Sequence, residues 1–131
     1  IKKFIEDLKG NPDIDTSKII LLGFSQGTIM SLSLALTEPE LIDGVIAISG
    51  RTLQEVSALA GQRSYLKTPQ VLLIHGIQDS KLPLYHAEET AETLKKAHFN
   101  FEFKKYPADH TITMEMRNDI RHWLSQRIDA K

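Results

Sequence analysis

Three side chains in a fixed chain order could carry out nucleophilic acyl transfer: Ser25, Asp79 and His110. Ser25 centres Gly23-Phe24-Ser25-Gln26-Gly27, which fits the pattern G-x-S-x-G. A serine hydroxyl is a poor nucleophile near neutral pH. A histidine can take its proton and later hand it to a leaving group. A carboxylate that fixes the imidazole tautomer and stabilises the imidazolium completes the set. The backbone amide of Gln26, just past the serine, is the expected half of an oxyanion hole.

The five-residue pattern is common in ordinary turns, so its meaning depends on the elements around it. Lys18-Ile19-Ile20-Leu21-Leu22 is a short apolar run rich in β-branched residues and predicts a strand. Thr28 to Leu36 predicts a buried helix. A strand, a sharp turn with serine at its apex and a helix make a nucleophile elbow. Its glycines are expected where strand and helix backbones come too close for a Cβ. Pro69 to Gly76 predicts a second buried strand, with Asp79 in the loop beyond it. A helix follows over roughly Tyr85 to Ala97, with Ala87, Ala91 and Leu94 on one face. Phe101 to Tyr106 alternates apolar and polar as a strand does, and His110 lies in the loop after it. In an open parallel sheet, functional groups gather beyond the carboxyl ends of the strands. Ser25, Asp79 and His110 all take that place, in the order of the α/β-hydrolase triad.

Each assignment has rivals. Asp79 could serve only as a turn residue. Asp109 is adjacent to His110, and neighbours on a short loop seldom face each other. Asp43 precedes the strand around Val45 to Ser49, at its amino end. Among histidines, His75 ends a strand and is expected to pack or hydrogen-bond locally. His86, His98 and His122 lie on or beside predicted helices and are expected to be solvated.

Together these segments resemble the phospholipase/carboxylesterase family of α/β hydrolases, which includes acyl-protein thioesterases and small carboxylesterases. The resemblance rests on Gly23-Phe24-Ser25-Gln26-Gly27, Ile48-Ser49-Gly50, His75-Gly76 with Asp79 and Pro83, and His110-Thr111-Ile112, and runs over essentially the whole chain. It implies hydrolysis of carboxylic esters or thioesters through a serine acyl-enzyme, with no metal or organic cofactor. Carried over by position, it makes Ser25 the nucleophile, Asp79 the acid, His110 the base and Gln26 an oxyanion donor. Three positions depart from the family pattern: Thr28 stands where a second glycine commonly follows the elbow, Asp109 where a glycine usually precedes the histidine, and Lys81 interrupts a stretch that is usually apolar. The resemblance also places four strands, a helix and the second oxyanion donor upstream of Ile1. The chain is therefore expected to be the carboxyl-terminal part of a longer protein.

The fold expected for residues 1–131 is a single α/β-hydrolase domain. Its parallel sheet would have strands around 19–24, 45–49, 71–75 and 101–106 and flanking helices. A strand that is apolar on both faces, such as Lys18 to Phe24, belongs inside a sheet. Left at an edge it would be sticky, which leaves a homo-oligomer open. The amino-terminal helix carries Ile1, Phe4, Ile5 and Leu8 on one face. The last, about Met114 to Ile128, places Met116, Ile120, Trp123 and Ile128 on one side as core. Leu53, Val56 and Leu59, between the second and third strands, either line an acyl pocket or pack a short helix onto the body.

With 16 basic and 17 acidic residues the net charge is −1, and no basic stripe suggests nucleic acid. There is no cysteine, hence no disulfide, thiolate metal site or cysteine nucleophile. A cytoplasmic setting is the expectation consistent with that. No apolar run approaches the roughly 20 residues that cross a bilayer. The expected partner is a small ester or acyl substrate. A prolyl-oligopeptidase-type peptidase shares the elbow, and an inactive truncated domain kept for association is the reading from a different class.

Overall fold

The computed structural model describes residues 1–128. Their strands are β1 (Ile20–Phe24), β2 (Gly44–Ile48), β3 (Gln70–Gly76) and β4 (Phe101–Tyr106), and they form one sheet in the order β1-β2-β3-β4. All three pairings are parallel, with Phe24 opposite Ile48, Ile48 opposite Ile74 and Gly76 opposite Tyr106. Every residue of β2 is buried, as a continuous apolar strand in the interior of a parallel sheet must be.

Helices connect the strands and cover both faces: α1 (Lys2–Lys9), α2 (Gln26–Thr37), α3 (Gln54–Ala60), α4 (Tyr85–Lys96) and α5 (Met114–Ile128). The period-two alternation of the strands divides the core. Val45, Ala47, Val71 and Leu73 face Leu32, Ala35 and Leu36 of α2, with Val56 of α3 and Leu94 of α4. On the opposite face, Ile46, Ile48, Leu72 and Ile74 meet Met116, Ile120 and Trp123 of α5. A short 3-10 turn at Pro39–Leu41, opened by proline, stands between α2 and β2 and has no periodic signal in the sequence.

Not every residue of an apolar helix face is buried. Of the α1 face only Ile5 is fully buried; Ile1 and Phe4 are exposed. Ile128, placed with the α5 core by its spacing, is 56% exposed: it is the last residue of the helix, beyond Leu124, the last α5 residue packed against that core. Leu53 and Val56 pack into the core beside α2, which favours the packing reading for them, whereas Leu59 is exposed. At the sheet margin, β1 pairs only with β2 among the described residues, and Leu22 is 55% exposed. No helix among those residues is long and apolar enough to cross a membrane.

Because the strands are parallel and in register, the segments after β1, β3 and β4 leave the sheet at the same edge. Ser25, Asp79 and His110 lie on those segments.

Candidate active site

Ser25 sits between β1 and α2 with φ 57° and ψ −113°, a backbone conformation that costs a non-glycine residue free energy. The turn is held from both sides. Ser25 N–H donates to the Ile48 carbonyl at 3.0 Å, and the Ser25 carbonyl accepts from the amides of Thr28 and Ile29. Gly23 makes the turn possible: a Cβ there would stand 2.5 Å from backbone atoms of Gly27 and Thr28. Gly27 has no such constraint, since a Cβ there meets nothing within 4 Å. The expectation that both elbow glycines avoid a clash therefore holds for Gly23 and fails for Gly27.

Thr28, in place of the second glycine, has a specific job. It is fully buried, and its hydroxyl donates to the Ile48 carbonyl at 2.7 Å and accepts the Ile48 N–H at 2.9 Å. It thereby stitches α2 to β2 directly behind the serine. Its bulk is accommodated by Gly50, where a Cβ would lie 2.4 Å from the Thr28 side chain. Gln26 is the first residue of α2. Its N–H belongs to the first helical turn, where amides have no intrahelical carbonyl to donate to.

Asp79 is buried and its two oxygens are divided between tasks. Oδ1 accepts the amides of Leu82 at 2.7 Å and Lys81 at 3.0 Å, which curl the loop around the carboxylate. Oδ2 faces His110 Nδ1 at 2.8 Å. Burial pushes the carboxyl pKa up, but the hydrogen bonds from Leu82, His110 and Lys81 outweigh it and hold the group below the usual aspartate value. The fully buried His75 supports the same loop. Its Nε2 lies 2.6 Å from the Leu82 carbonyl, which can only accept, so Nε2 carries a proton. That nitrogen is also 3.5 Å from Asp79 Oδ2.

His110 spans the gap, with Nδ1 toward Asp79 and Nε2 3.2 Å from Ser25 Oγ. A carboxylate only accepts, so the network assigns the Nδ1 proton to the Asp79 bond and leaves Nε2 to receive the serine proton. Phe24, the residue before the serine, places its ring 4.9 Å from the imidazole centroid at 43°. Its position inside the motif was the only available signal, and the strand pattern alone gives no reason to connect it with a histidine 86 residues later.

The rival residues are occupied elsewhere. Asp109 Oδ1 accepts the Ser80 amide and hydroxyl and the His110 amide, and it makes none of its hydrogen bonds to the imidazole. Its backbone avoids the left-handed region, so an aspartate in place of glycine is unstrained. Asp43 binds Ile19 N–H and Lys67 at the amino edge of the sheet. His86 stacks on Tyr85, and His98 and His122 are exposed. Among the described residues no group of three or more histidine, cysteine, aspartate or glutamate side chains could hold a metal ion.

Taken together, the arrangement offers a hydroxyl, an imidazole and a carboxylate in hydrogen-bond sequence at a helix amino terminus. Comparison with known proteins identifies the family. The family described as phospholipase/carboxylesterase matches over residues 1–128. A probable carboxylesterase SOBER1-like of Arabidopsis thaliana is 34% identical over 121 residues, covering 89% of this chain and 45% of that protein. Acyl-protein thioesterase 1 of Debaryomyces hansenii is 32% identical over 127 residues, covering 95% of this chain and 54% of its own length. The crystal structure of esterase PE8 superposes with a TM-score of 0.81 at 28% identity, covering 95% of this chain and 57% of that one. The chain thus spans about half the length of these relatives.

Proposed function

Since this chain belongs to the phospholipase/carboxylesterase family of α/β hydrolases, we propose that it carries the Ser-Asp-His machinery of a serine hydrolase acting on carboxylic esters or thioesters. Ser25 Oγ attacks the acyl carbonyl as His110 Nε2 takes the hydroxyl proton. The new C–O bond forms, and the carbonyl oxygen becomes an oxyanion facing the amide of Gln26. Collapse breaks the bond to the alcohol or thiol, which leaves with the proton from His110. Water then attacks the acyl-enzyme by the same route, releasing the carboxylic acid and restoring Ser25. Asp79 keeps the Nδ1 proton in place throughout and stabilises the imidazolium.

The observation that carries this reading is the continuous contact Asp79 Oδ2–His110–Ser25 Oγ, at 2.8 and 3.2 Å. The names of the family and of the relatives support an ester or thioester over the peptide bond of a prolyl-oligopeptidase-type enzyme, and the intact contact speaks against an inactive association domain. Labelling with a fluorophosphonate probe tests it. The folded parent is expected to label and Ser25→Ala is not, with hydrolysis of short acyl esters falling by about 10³-fold or more in the variant. A folded parent that takes up no probe, or a variant that labels equally, overturns the reading.

A further inference from the structure

The loop that carries the acid and the loop that carries the histidine are joined by more than the contact between Asp79 and His110. Gly76, at the end of β3, lies so close beneath the second loop that a Cβ would stand 2.3 Å from the Ala108 carbonyl oxygen and 2.7 Å from that of Asp109. Ile77 N–H donates to the Tyr106 carbonyl at 2.7 Å, and Gln78 N–H to the Ala108 carbonyl at 3.0 Å. These bonds extend the pairing of β3 and β4 past the end of the sheet. The backbone seam ends there, and one side chain continues it. Asp109 Oδ1 accepts Ser80 N–H at 2.8 Å, the Ser80 hydroxyl at 2.9 Å and His110 N–H at 2.8 Å.

We propose that Asp109 is a positioning residue whose carboxylate latches the Asp79 loop to the His110 loop and so sets the imidazole between Asp79 and Ser25. The placement carries the argument. Ser80 is the residue after Asp79, and Asp109 is the residue before His110. A single oxygen bonded to Ser80 and to the His110 backbone therefore fixes two backbones, each within one residue of a partner in the 2.8 Å bond between Asp79 and His110. Asp109 acts through these backbones, because the imidazole nitrogens face Asp79 and Ser25. Hydrogen bonds to an ionised acceptor are the stronger kind, and three of them on one atom fix its position well. Without the latch, Gly76 still passes under the second loop, but beyond Gln78 only the bond between Asp79 and His110 itself resists a sideways shift of one loop against the other. A displacement of about 1 Å at a reacting group can cost on the order of 100-fold in rate.

The inference rests on the serine-hydrolase reading for its effect on rate, so the test pairs kinetics with a readout independent of turnover. Asp109→Ala, Asp109→Asn, Ser80→Ala and the double variant Asp109→Ala/Ser80→Ala are compared with the parent. The measurements are kcat and KM on a short acyl ester, and the proton spectrum downfield of the amides, where an imidazole N–H bonded to a carboxylate resonates. Asp109→Ala is expected to lower kcat about tenfold with KM within about twofold, because alignment and not substrate binding is lost. Its downfield proton is expected to broaden or vanish. Asp109→Asn keeps an acceptor oxygen and is expected to stay within about threefold of the parent. The double variant is expected to be no worse than Asp109→Ala alone, since both changes break one unit. If Asp109→Ala does not fold, Asp109→Asn and Ser80→Ala decide: Ser80→Ala keeps the amide bond and should lose about threefold in kcat with a weakened downfield signal.

An Asp109→Ala variant with parental kcat and an unchanged downfield proton overturns the latch, and so does a parent that lacks that proton. Equal losses in Asp109→Ala and Asp109→Asn also overturn it, since the charge and not the bridge would then matter. A parent without turnover whose downfield proton is removed by Asp109→Ala overturns the esterase reading and supports the latch.

Discussion

The two oxygens of Asp79 do not compete for partners. One is committed to the loop amides of Leu82 and Lys81, and the other is left for His110. The Leu82 carbonyl in turn accepts from His75, a fully buried side chain whose Nδ1 has no hydrogen-bond partner among the described residues. This makes His75 the prop of the acid loop and gives its substitution a definite sign. His75→Phe fills similar space but leaves the Leu82 carbonyl without its donor. It should destabilise the fold by about 1–3 kcal/mol, read as a lower urea midpoint with an unchanged slope. An unchanged midpoint would mean that the 2.6 Å contact carries no net free energy.

At the scale of elements, the turn between β1 and α2 is tight on one side only. Gly23→Ala would drive a Cβ to 2.5 Å from the backbone of Gly27 and Thr28 and should cost about 1–3 kcal/mol, or roughly 3–15 °C in Tm. Gly27→Ala enters open space within a helix and should be neutral or stabilising by up to about 1 kcal/mol. Melting curves of the two variants check the contrast. The same turn shows what a reader of the residues can and cannot see. Strand, elbow and helix were legible because β-branched runs, glycine and apolar periodicity are local signals. The order Ser25, Asp79, His110 was legible because a parallel sheet brings successive strand ends to one edge. Thr28 bonding both polar groups of Ile48 was not legible, since it depends on how close α2 lies to β2. Nor was the bond from Asp109 to Ser80, which crosses from one loop to another. Ile128 was misplaced for a related reason: periodicity gives a helix an apolar face without saying how far along it the core contacts run.

For the whole molecule, the carboxylates at this edge tie stability to acid. Opposed by burial, the bonds from Leu82, His110 and Lys81 still hold Asp79 below its ordinary value, and those from Ser80 and His110 hold Asp109 below it too. Folded pKa values lowered in this way make the unfolded chain bind more protons as pH falls through about 4. The stabilisation is complete above the unfolded pKa and is lost as pH drops through the folded values. Denaturation midpoints should therefore be flat with respect to these two groups from about pH 7 to 5 and decline below about pH 4. Replacing Asp109 with Asn should remove part of that decline. A midpoint that instead rises on acidification would contradict the assignment.

The contact between Ser25 and His110 joins positions 85 residues apart, across three of the four strands. Nothing local can form it: β1, β3 and β4 must already be in register with β2 between them. The chain thus holds a built-in gauge of its own assembly, in which a reagent that senses the serine–imidazole pair senses the sheet. A partly folded form that kept its helices but lost its strand order would leave that gauge silent.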